Sequence, residues 1–314
     1  MKILITGVHG FVGSNLVKSL SRNNIIYGLD IIDSIKEGVK FTFRWDDLEK
    51  TDVIPEMDAI IHLAGKAHDT KNQAAADVYF KVNRDLTIKI FDYFLAHDNI
   101  KKFVFFSTAK AAADRVEGIL TEDVVPSPVG PYGESKIAAE QYLLSKMEKV
   151  RGKNKSVYIF RPCMIHGPGN KGNLNLLYNV VKKGMPWPLG AFENRRTFTS
   201  IGNICFAVNG VLTKDVPSGI YNMGDDEALS TNELIEEICK SLGKKAHIWK
   251  LPKGMMNVVA KVGGWLHLPL NPERLQKLTE NYVSSNVKIK KALGVEKMPI
   301  DARKGLKVTL KSFK

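Results

Sequence analysis

Strand-sized apolar runs alternate with helix-period segments through the first half of the chain, and this alternation limits the fold more than any other feature. Ile3–Ile5 reads as a strand, Val12–Ser21 as a helix and Ile25–Asp30 as a second strand. Phe41–Phe43 is short and extended, and Ala59–Ala64 reads as a buried strand. A helical pattern runs from about Ala74 to His97, followed by a strand over Phe103–Ser107, a helix over Lys136–Lys149 and a strand over Val157–Phe160. Such alternation demands crossover connections between parallel strands, with helices on both faces of the sheet. The expected class is α/β, a doubly wound parallel sheet. Beyond Pro162 the rhythm loosens: Gly and Pro crowd into 167–172 and 184–190, and helical patterns return at Thr231–Leu242 and in the basic tail. A smaller, less regular C-terminal part is therefore expected.

Composition narrows the field. Of 314 residues, 44% are hydrophobic and 25% charged, the balance of a chain that buries a core. That excludes disorder, collagen-like repeats and disulfide-stapled miniature folds. The longest apolar runs are far short of the ~18 residues a membrane helix needs. The run that opens the chain is also too short for a secretory leader. Cys163, Cys205 and Cys239 have neither metal nor redox spacing, so reduced thiols, no metal and a cytoplasmic location are expected. The net charge is +13, but the lysines are scattered and the tail Lys288–Lys314 has little aromatic content. Nucleic-acid binding is not expected; an anionic small ligand or an anionic membrane surface fits the charge at least as well.

Between the first strand and the first helix lies Thr6-Gly7-Val8-His9-Gly10-Phe11-Val12-Gly13. In such a turn one glycine permits the bend, another lets backbone approach a pyrophosphate, and a third lets the helix pack on the strand. The helix N-terminus offers unpaired N–H groups to phosphate oxygens. The second strand closes on Asp30, about twenty residues past the glycines, where a carboxylate accepts from an adenosine ribose and repels a 2′-phosphate. The reading is a site for NAD in preference to NADP. It is lined by Gly7, His9, Gly10, Phe11, Val12, Gly13 and Asp30. Asp33 is a rival acid beyond the strand end, and no arginine or lysine follows immediately to grip a 2′-phosphate.

Tyr132-Gly133-Glu134-Ser135-Lys136 places a phenol and an amine four residues apart at the start of a helical pattern, on one helical face. An ammonium beside a phenol favours the phenolate and is expected to lower a pKa otherwise near ~10. The strand Phe103–Phe106 leads into Ser107-Thr108, where a hydroxyl at the strand end can reach a substrate alcohol or ketone.

In this combination the sequence resembles the extended short-chain dehydrogenases/reductases, in the epimerase/dehydratase branch that modifies nucleotide-diphosphate sugars. The likeness spans nearly the whole chain. It also rests on His62-Leu63-Ala64-Gly65, Val82-Asn83 and Arg161-Pro162 leading to Gly167-Pro168-Gly169. It implies a Rossmann-type layer over residues 1–165, with a return near 197–225. A substrate-binding part would comprise 166–196 and 226–314. It further implies Asp47 and Leu48 near the adenine, and Leu63, Ala64 and Gly65 along the cofactor. Asn83 and Ser107 would support the site, Lys136 would contact the nicotinamide ribose, and Arg161 and Pro162 would lie on the nicotinamide side. Thr108 falls at the family's catalytic hydroxyl, with Ser107 the alternative, beside Tyr132 and Lys136.

On the substrate side the resemblance points to Asn173, Arg196 and, more loosely, Arg274. A guanidinium clamps a diphosphate bidentately. Arg195 either shares that work or pairs with a surface carboxylate, and Lys110 either touches substrate or is solvated. Dehydratases of this branch carry an acidic pair after the catalytic Thr; here stand Ala109-Lys110, so a 4,6-dehydratase is disfavoured. What remains is redox at sugar C4, as 4-epimerase or 4-keto reductase. The substrate would be a UDP-linked sugar of surface-polysaccharide synthesis. A non-catalytic cofactor-sensing regulator on the same fold is the rival reading, and relatives suggest a homodimer. His166 is expected to be packed or solvent-facing, and His9 to fill a variable slot. Met255–Leu268 is expected to be buried against the C-terminal part or a second subunit, with a membrane-lying helix the alternative.

Overall fold

Strands whose side chains are buried on both faces need helices above and below, and the chain supplies them. The computed structural model describes residues 1–66, 75–170, 172–266 and 270–313. The strands β1 (Lys2–Thr6), β2 (Ile25–Leu29), β3 (Phe41–Phe43), β4 (Ala59–His62), β5 (Lys102–Phe106), β6 (Ser156–Pro162) and β7 (Gly219–Met223) form one sheet. Their order is β7-β6-β5-β4-β1-β2-β3, with every pairing parallel. The order reverses at β1, where β2 and β4 flank it. Thr6 lies level with Leu29 and His62, so the carboxyl ends of these strands form one row beside the reversal. Ligands of doubly wound sheets bind in that crevice.

The side-chain period of two divides the core. Ile3, Ile5, Ile61 and Val104 face one side and meet Leu16, Val17, Ile204 and Val208. These come from α1 (Phe11–Leu20) and, further along the chain, the helix Ile201–Thr213. Leu4, Ile60, Phe103 and Phe105 face the other and meet Ile90, Phe91, Phe94 and Leu143. Those residues come from α2 (Leu86–Ala96) and α3 (Pro131–Ser145). The second half continues as α4 (Asn173–Lys182), α5 (Ile201–Thr213), α6 (Thr231–Ser241), α7 (Lys253–Trp265), α8 (Pro272–Thr279), α9 (Val287–Leu293) and α10 (Ala302–Lys311). Tyr178, Ile235, Ile238, Leu306 and Leu310 join α4, α6 and α10 in a separate core.

Three departures from the sequence reading have physical causes. The helical pattern to His97 is broken by a π-turn at Phe80–Asp85 after a short helix, Ala76–Tyr79; Ala74 lies outside the described residues. The helix expected from Lys136 begins at Pro131, whose fixed φ suits a first helical position. It stops at Lys146, and a separate turn of helix follows at Met147–Gly152. Residues 287–298 do not side wholly with the C-terminal part, because Ile289, Leu293 and Met298 pack in the core under the sheet.

Two glycines set the crevice geometry. Gly7 has φ +68°, a conformation that disfavours a side chain. A Cβ on Gly13 would stand 2.5 Å from the Gly7 carbonyl oxygen and 2.8 Å from that of Val8, both rigid backbone. Gly13→Ala is expected to lower stability by about 1–3 kcal/mol through this overpacking. The check is the urea unfolding midpoint at unchanged slope.

Candidate active site

The turn after β1 is held open by its own backbone. Gly7 N–H donates to Leu29 O at 2.9 Å and Gly10 N–H to Gly7 O at 3.0 Å. Gly10 caps α1 with no side-chain partner for the first amides. Thr6 Oγ1 accepts from the amides of Leu63 and Ala64 at 3.1 and 3.0 Å and meets His62 Nδ1 at 2.7 Å. This brings the 63–65 segment against the glycine turn, where a Cβ on Gly7 would lie 2.9 Å from Ala64 N. A Cβ on Gly65 would lie 2.9 Å from Asn83 Oδ1 and 3.2 Å from Lys136 Nζ. A flat, backbone-walled cradle of this kind fits a dinucleotide.

Asp30 closes the far end. Its carboxylate accepts from the amides of His9 at 3.0 Å, Ile31 at 2.8 Å and Ile32 at 3.3 Å, so it is fixed in place at the end of β2. Asp33 instead pairs with Arg44, exposed at the end of β3. That arginine was not evident from the residues following Asp30, because strand pairing rather than sequence proximity delivers it. Asp47 is occupied structurally: it accepts from Arg44 N–H and from Lys50 Nζ, which hold its carboxyl below the usual range. Leu48 packs on the core. Phe11 and Val12 pack against the core at the start of α1. His9 leaves its buried Nε2 without a partner among the described residues.

The catalytic candidates converge on the end of β5. Ser107 and Thr108 diverge as successive extended residues do. Ser107 donates to Glu140, whereas Thr108 forms a side-chain hydrogen bond with Tyr132. Thr108 also accepts from Lys110 N–H and so starts the short helix Ala109–Ala112. Tyr79 stands edge-on to Tyr132 with ring centroids 6.4 Å apart. Lys136, 5% exposed, donates to Phe106 O at 2.8 Å and lies 5.0 Å over the Phe105 ring. Asn83 joins the two sides: its Oδ1 accepts from Lys66 N–H at 2.8 Å and its Nδ2 donates to Ser135 Oγ at 3.0 Å. The π-turn aims Asn83 inward, which agrees with the frequent use of such turns at functional sites.

Burial governs the electrostatics. It pushes the Tyr132 phenol above its ordinary value, with the bond from Thr108 opposing and Tyr79 adding to the rise. The lowering expected from Lys136 does not appear: burial, the Thr108 bond and Tyr79 are what act on the phenol. Burial lowers the Lys136 amine to about 8, against the pull of Glu140. His62 is held well below its usual value by burial and by the Lys136 charge, so its ring is neutral. Arg161 and Glu140, 1% and 0% exposed, form a bonded pair, with Nε at 3.0 Å from Oε1 and Nη2 at 2.5 Å from Oε2. Arg161 is thus committed to Glu140. Sequence reading overlooked Glu140, although its spacing was the signal: Tyr132, Lys136 and Glu140 share one face of α3. Pro162 ends β6, level with Met223 of β7.

The expected substrate residues lie further out. Arg196 Nη1 donates to Lys277 O at 2.6 Å, and its backbone bridges Leu229 and Tyr282. Arg195 pairs with Glu233 at 3.1 Å, the surface-carboxylate alternative. Lys110 bonds Asp114 at 3.0 Å and sits 4.7 Å over the Tyr282 ring, so it is not merely solvated. Asn173 is exposed at the first position of α4, and Arg274 is exposed in the first turn of α8. His166 is packed, with Nδ1 2.9 Å from Thr309 Oγ1 and Nε2 3.5 Å from Asp225. Cys163 is a buried thiol that burial pushes up to about 12, far from reactive.

Removing one partner of a buried ion pair leaves an uncompensated charge. Glu140→Ala is expected to cost about 3–5 kcal/mol in urea unfolding. Lys136→Met should behave oppositely. In the unfolded chain this amine keeps its proton until about pH 10.5. The folded chain gives the proton up near 8, so carrying the charge inside costs stability at neutral pH. The variant is expected to gain about 1–3 kcal/mol at pH 7, net of the bond lost to Phe106 O. As pH rises from 8 toward 10.5 the wild type recovers and the gap closes. Unfolding midpoints at pH 7, 8.5 and 10 check the trend.

A family model described as "NAD dependent epimerase/dehydratase family" matches residues 3–224. The chain is 31% identical over 267 residues to a UDP-glucose 4-epimerase of Vibrio cholerae, covering 80% of this chain and 78% of that one. It is 27% identical over 294 residues to an Escherichia coli O157:H7 protein, the N-acetyl-alpha-D-glucosaminyl-diphospho-ditrans,octacis-undecaprenol 4-epimerase; the match covers 92% and 84%. Its fold is similar to that of the Thermus thermophilus UDP-glucose 4-epimerase in complex with NAD, with a TM-score of 0.76, 22% identity and coverage of 100% and 99%. On the family model and the Vibrio cholerae relative together, the chain belongs to the NAD dependent epimerase/dehydratase family.

Proposed function

We propose that this protein is an NAD-dependent enzyme that performs redox at C4 of a UDP-linked sugar, as a 4-epimerase or 4-keto reductase. The carrying observation is the hydrogen bond between Thr108 and Tyr132 at the end of β5, with Lys136 one turn along α3 and buried against the Phe106 carbonyl. Bound NAD would supply the hydride acceptor, or in its reduced form the donor, for the sugar carbon. Asp30, already fixed by three amides, is set to accept ribose hydroxyls, and its charge disfavours a 2′-phosphate. Gly7, Gly65 and the first amides of α1 offer backbone to the phosphates.

Tyr132 takes the proton of a substrate hydroxyl, or gives one to a ketone, and Thr108 donates to the same oxygen. Burial alone makes that phenol a weaker acid, so positive charge has to supply the correction. Lys136 provides it while protonated. Ala109 is buried and Lys110 is tied to Asp114, so neither supplies an acid for eliminating water. This supports redox over dehydration. The retained Tyr132 and Lys136 favour an enzyme over a cofactor-sensing regulator. UDP as the carrier is supported by the name of the Vibrio cholerae relative. A place in surface-polysaccharide synthesis is supported by that of the Escherichia coli O157:H7 relative, which acts on a sugar linked through diphosphate to undecaprenol.

Incubation with UDP-hexoses and UDP-N-acetylhexosamines, following product stereochemistry and net NADH together, tests the reading. Epimerisation leaves the nicotinamide pool unchanged, whereas reduction consumes it. Tyr132→Phe is expected to lose about 10²–10⁴-fold in turnover while still binding NAD. Full activity in that variant overturns the assignment.

A further inference from the structure

Helix α7 has two apolar faces, and the fold uses one of them. Met256, Ala260 and Gly263 are buried, and the first two pack with Leu189 and Leu275. Met255, Val258, Val259, Val262 and Trp265 are exposed, and Leu266 just past the helix joins them. At about 100° per residue these six fall within an arc of roughly 120°. Val258 is 60% exposed and Trp265 80%. Packing on the small face accounts for the helix. It leaves the outer face unexplained, since a solvated helix face ordinarily carries polar residues.

The surrounding sequence has one sign of charge. From Ile238 to Pro272 there is no Asp or Glu, while Lys240, Lys244, Lys245, Lys250, Lys253 and Lys261 are present. Trp249, also exposed, lies in the same stretch. An apolar stripe with tryptophan, in a stretch rich in lysines and free of carboxylates, has the composition of a helix lying in a lipid interface. Its apolar side chains enter the acyl boundary, indole rings sit at headgroup depth, and ammonium groups meet anionic headgroups. A second copy of this chain would set the same lysines against one another with no acid in the segment to neutralise them. No helix among the described residues is long and apolar enough to cross a membrane, and α7, at 13 residues, lies along a surface.

We propose that the outer face of α7 docks this protein reversibly onto an anionic bilayer surface. The proposal does not depend on which sugar reaction the crevice performs. Co-sedimentation of the full chain with phosphatidylcholine vesicles, with and without phosphatidylglycerol, tests it. The wild type is expected to pellet with the anionic vesicles, less so at high salt, with a blue shift of tryptophan emission that Trp265→Phe diminishes. Val258→Glu with Val262→Glu should abolish pelleting at unchanged circular dichroism. Neutralising Lys250, Lys253 and Lys261 to Gln should weaken partitioning by about a hundredfold. A wild type that ignores anionic vesicles, or pelleting unaffected by both sets of substitutions, overturns the proposal. So does a solution dimer that the Glu substitutions split without any vesicle binding.

Discussion

An ammonium group withdrawn from water at the end of β5 sets the terms for its neighbours. Lys136 spends one proton on the Phe106 carbonyl and lies against the Phe105 ring, but neither neutralises it. The counter-charge is Glu140, one turn along α3, and Glu140 is itself buried. It is satisfied by Arg161 from β6 and by Ser107 at the end of β5. Each buried charge thus requires the next, and the chain of requirements pins α3 against two central strands. The cost of a buried pair falls steeply with good geometry, and Glu140 receives donors from both partners.

The same burial decides what Tyr132 can do. A phenol in a dry site holds its proton more tightly, and the Thr108 bond offsets only part of that. The protein alone therefore rests with this phenol protonated. Under the proposed function, abstraction of a proton needs positive charge beside the phenol, the part assigned to protonated Lys136.

Much of this was legible in the residues, and the exceptions share a cause. Alternating apolar runs disclosed the sheet, and Gly7, Gly13, Asp30, Tyr132 and Lys136 disclosed the crevice because each acts through local spacing. What sequence hid was delivered by pairing across the sheet or by helix irregularity. Arg44 meets Asp33 through the β2–β3 pairing, and Arg161 meets Glu140 across β6 and α3. The π-turn that aims Asn83 at Ser135 leaves no mark in a periodicity built on 3.6 residues. The pattern over Met255–Leu268 was half informative. Apolar residues at helical spacing announce a helix, but they do not say which face the fold will cover; His267 and Leu268 lie outside the described residues.

The C-terminal part ties its exposed helix to its arginines. α7 packs on α8 through Met256, Ala260 and Leu275. The Lys277 carbonyl of α8 accepts from Arg196, whose backbone is bonded to Leu229 and followed by a bond from Thr197 to Tyr282. Tyr282 in turn donates to Ala113 O at 2.8 Å, beside the short helix that Thr108 caps. A displacement of α8 would therefore reach the Ala109–Ala112 helix through the Lys277 and Ala113 carbonyls and the Tyr282 phenol, whereas α7 joins that path by side-chain packing on Leu275. The bonded path starts at α8 and ends beside Thr108, and α7 bears on it through the apolar contact of Met256 and Ala260 with Leu275.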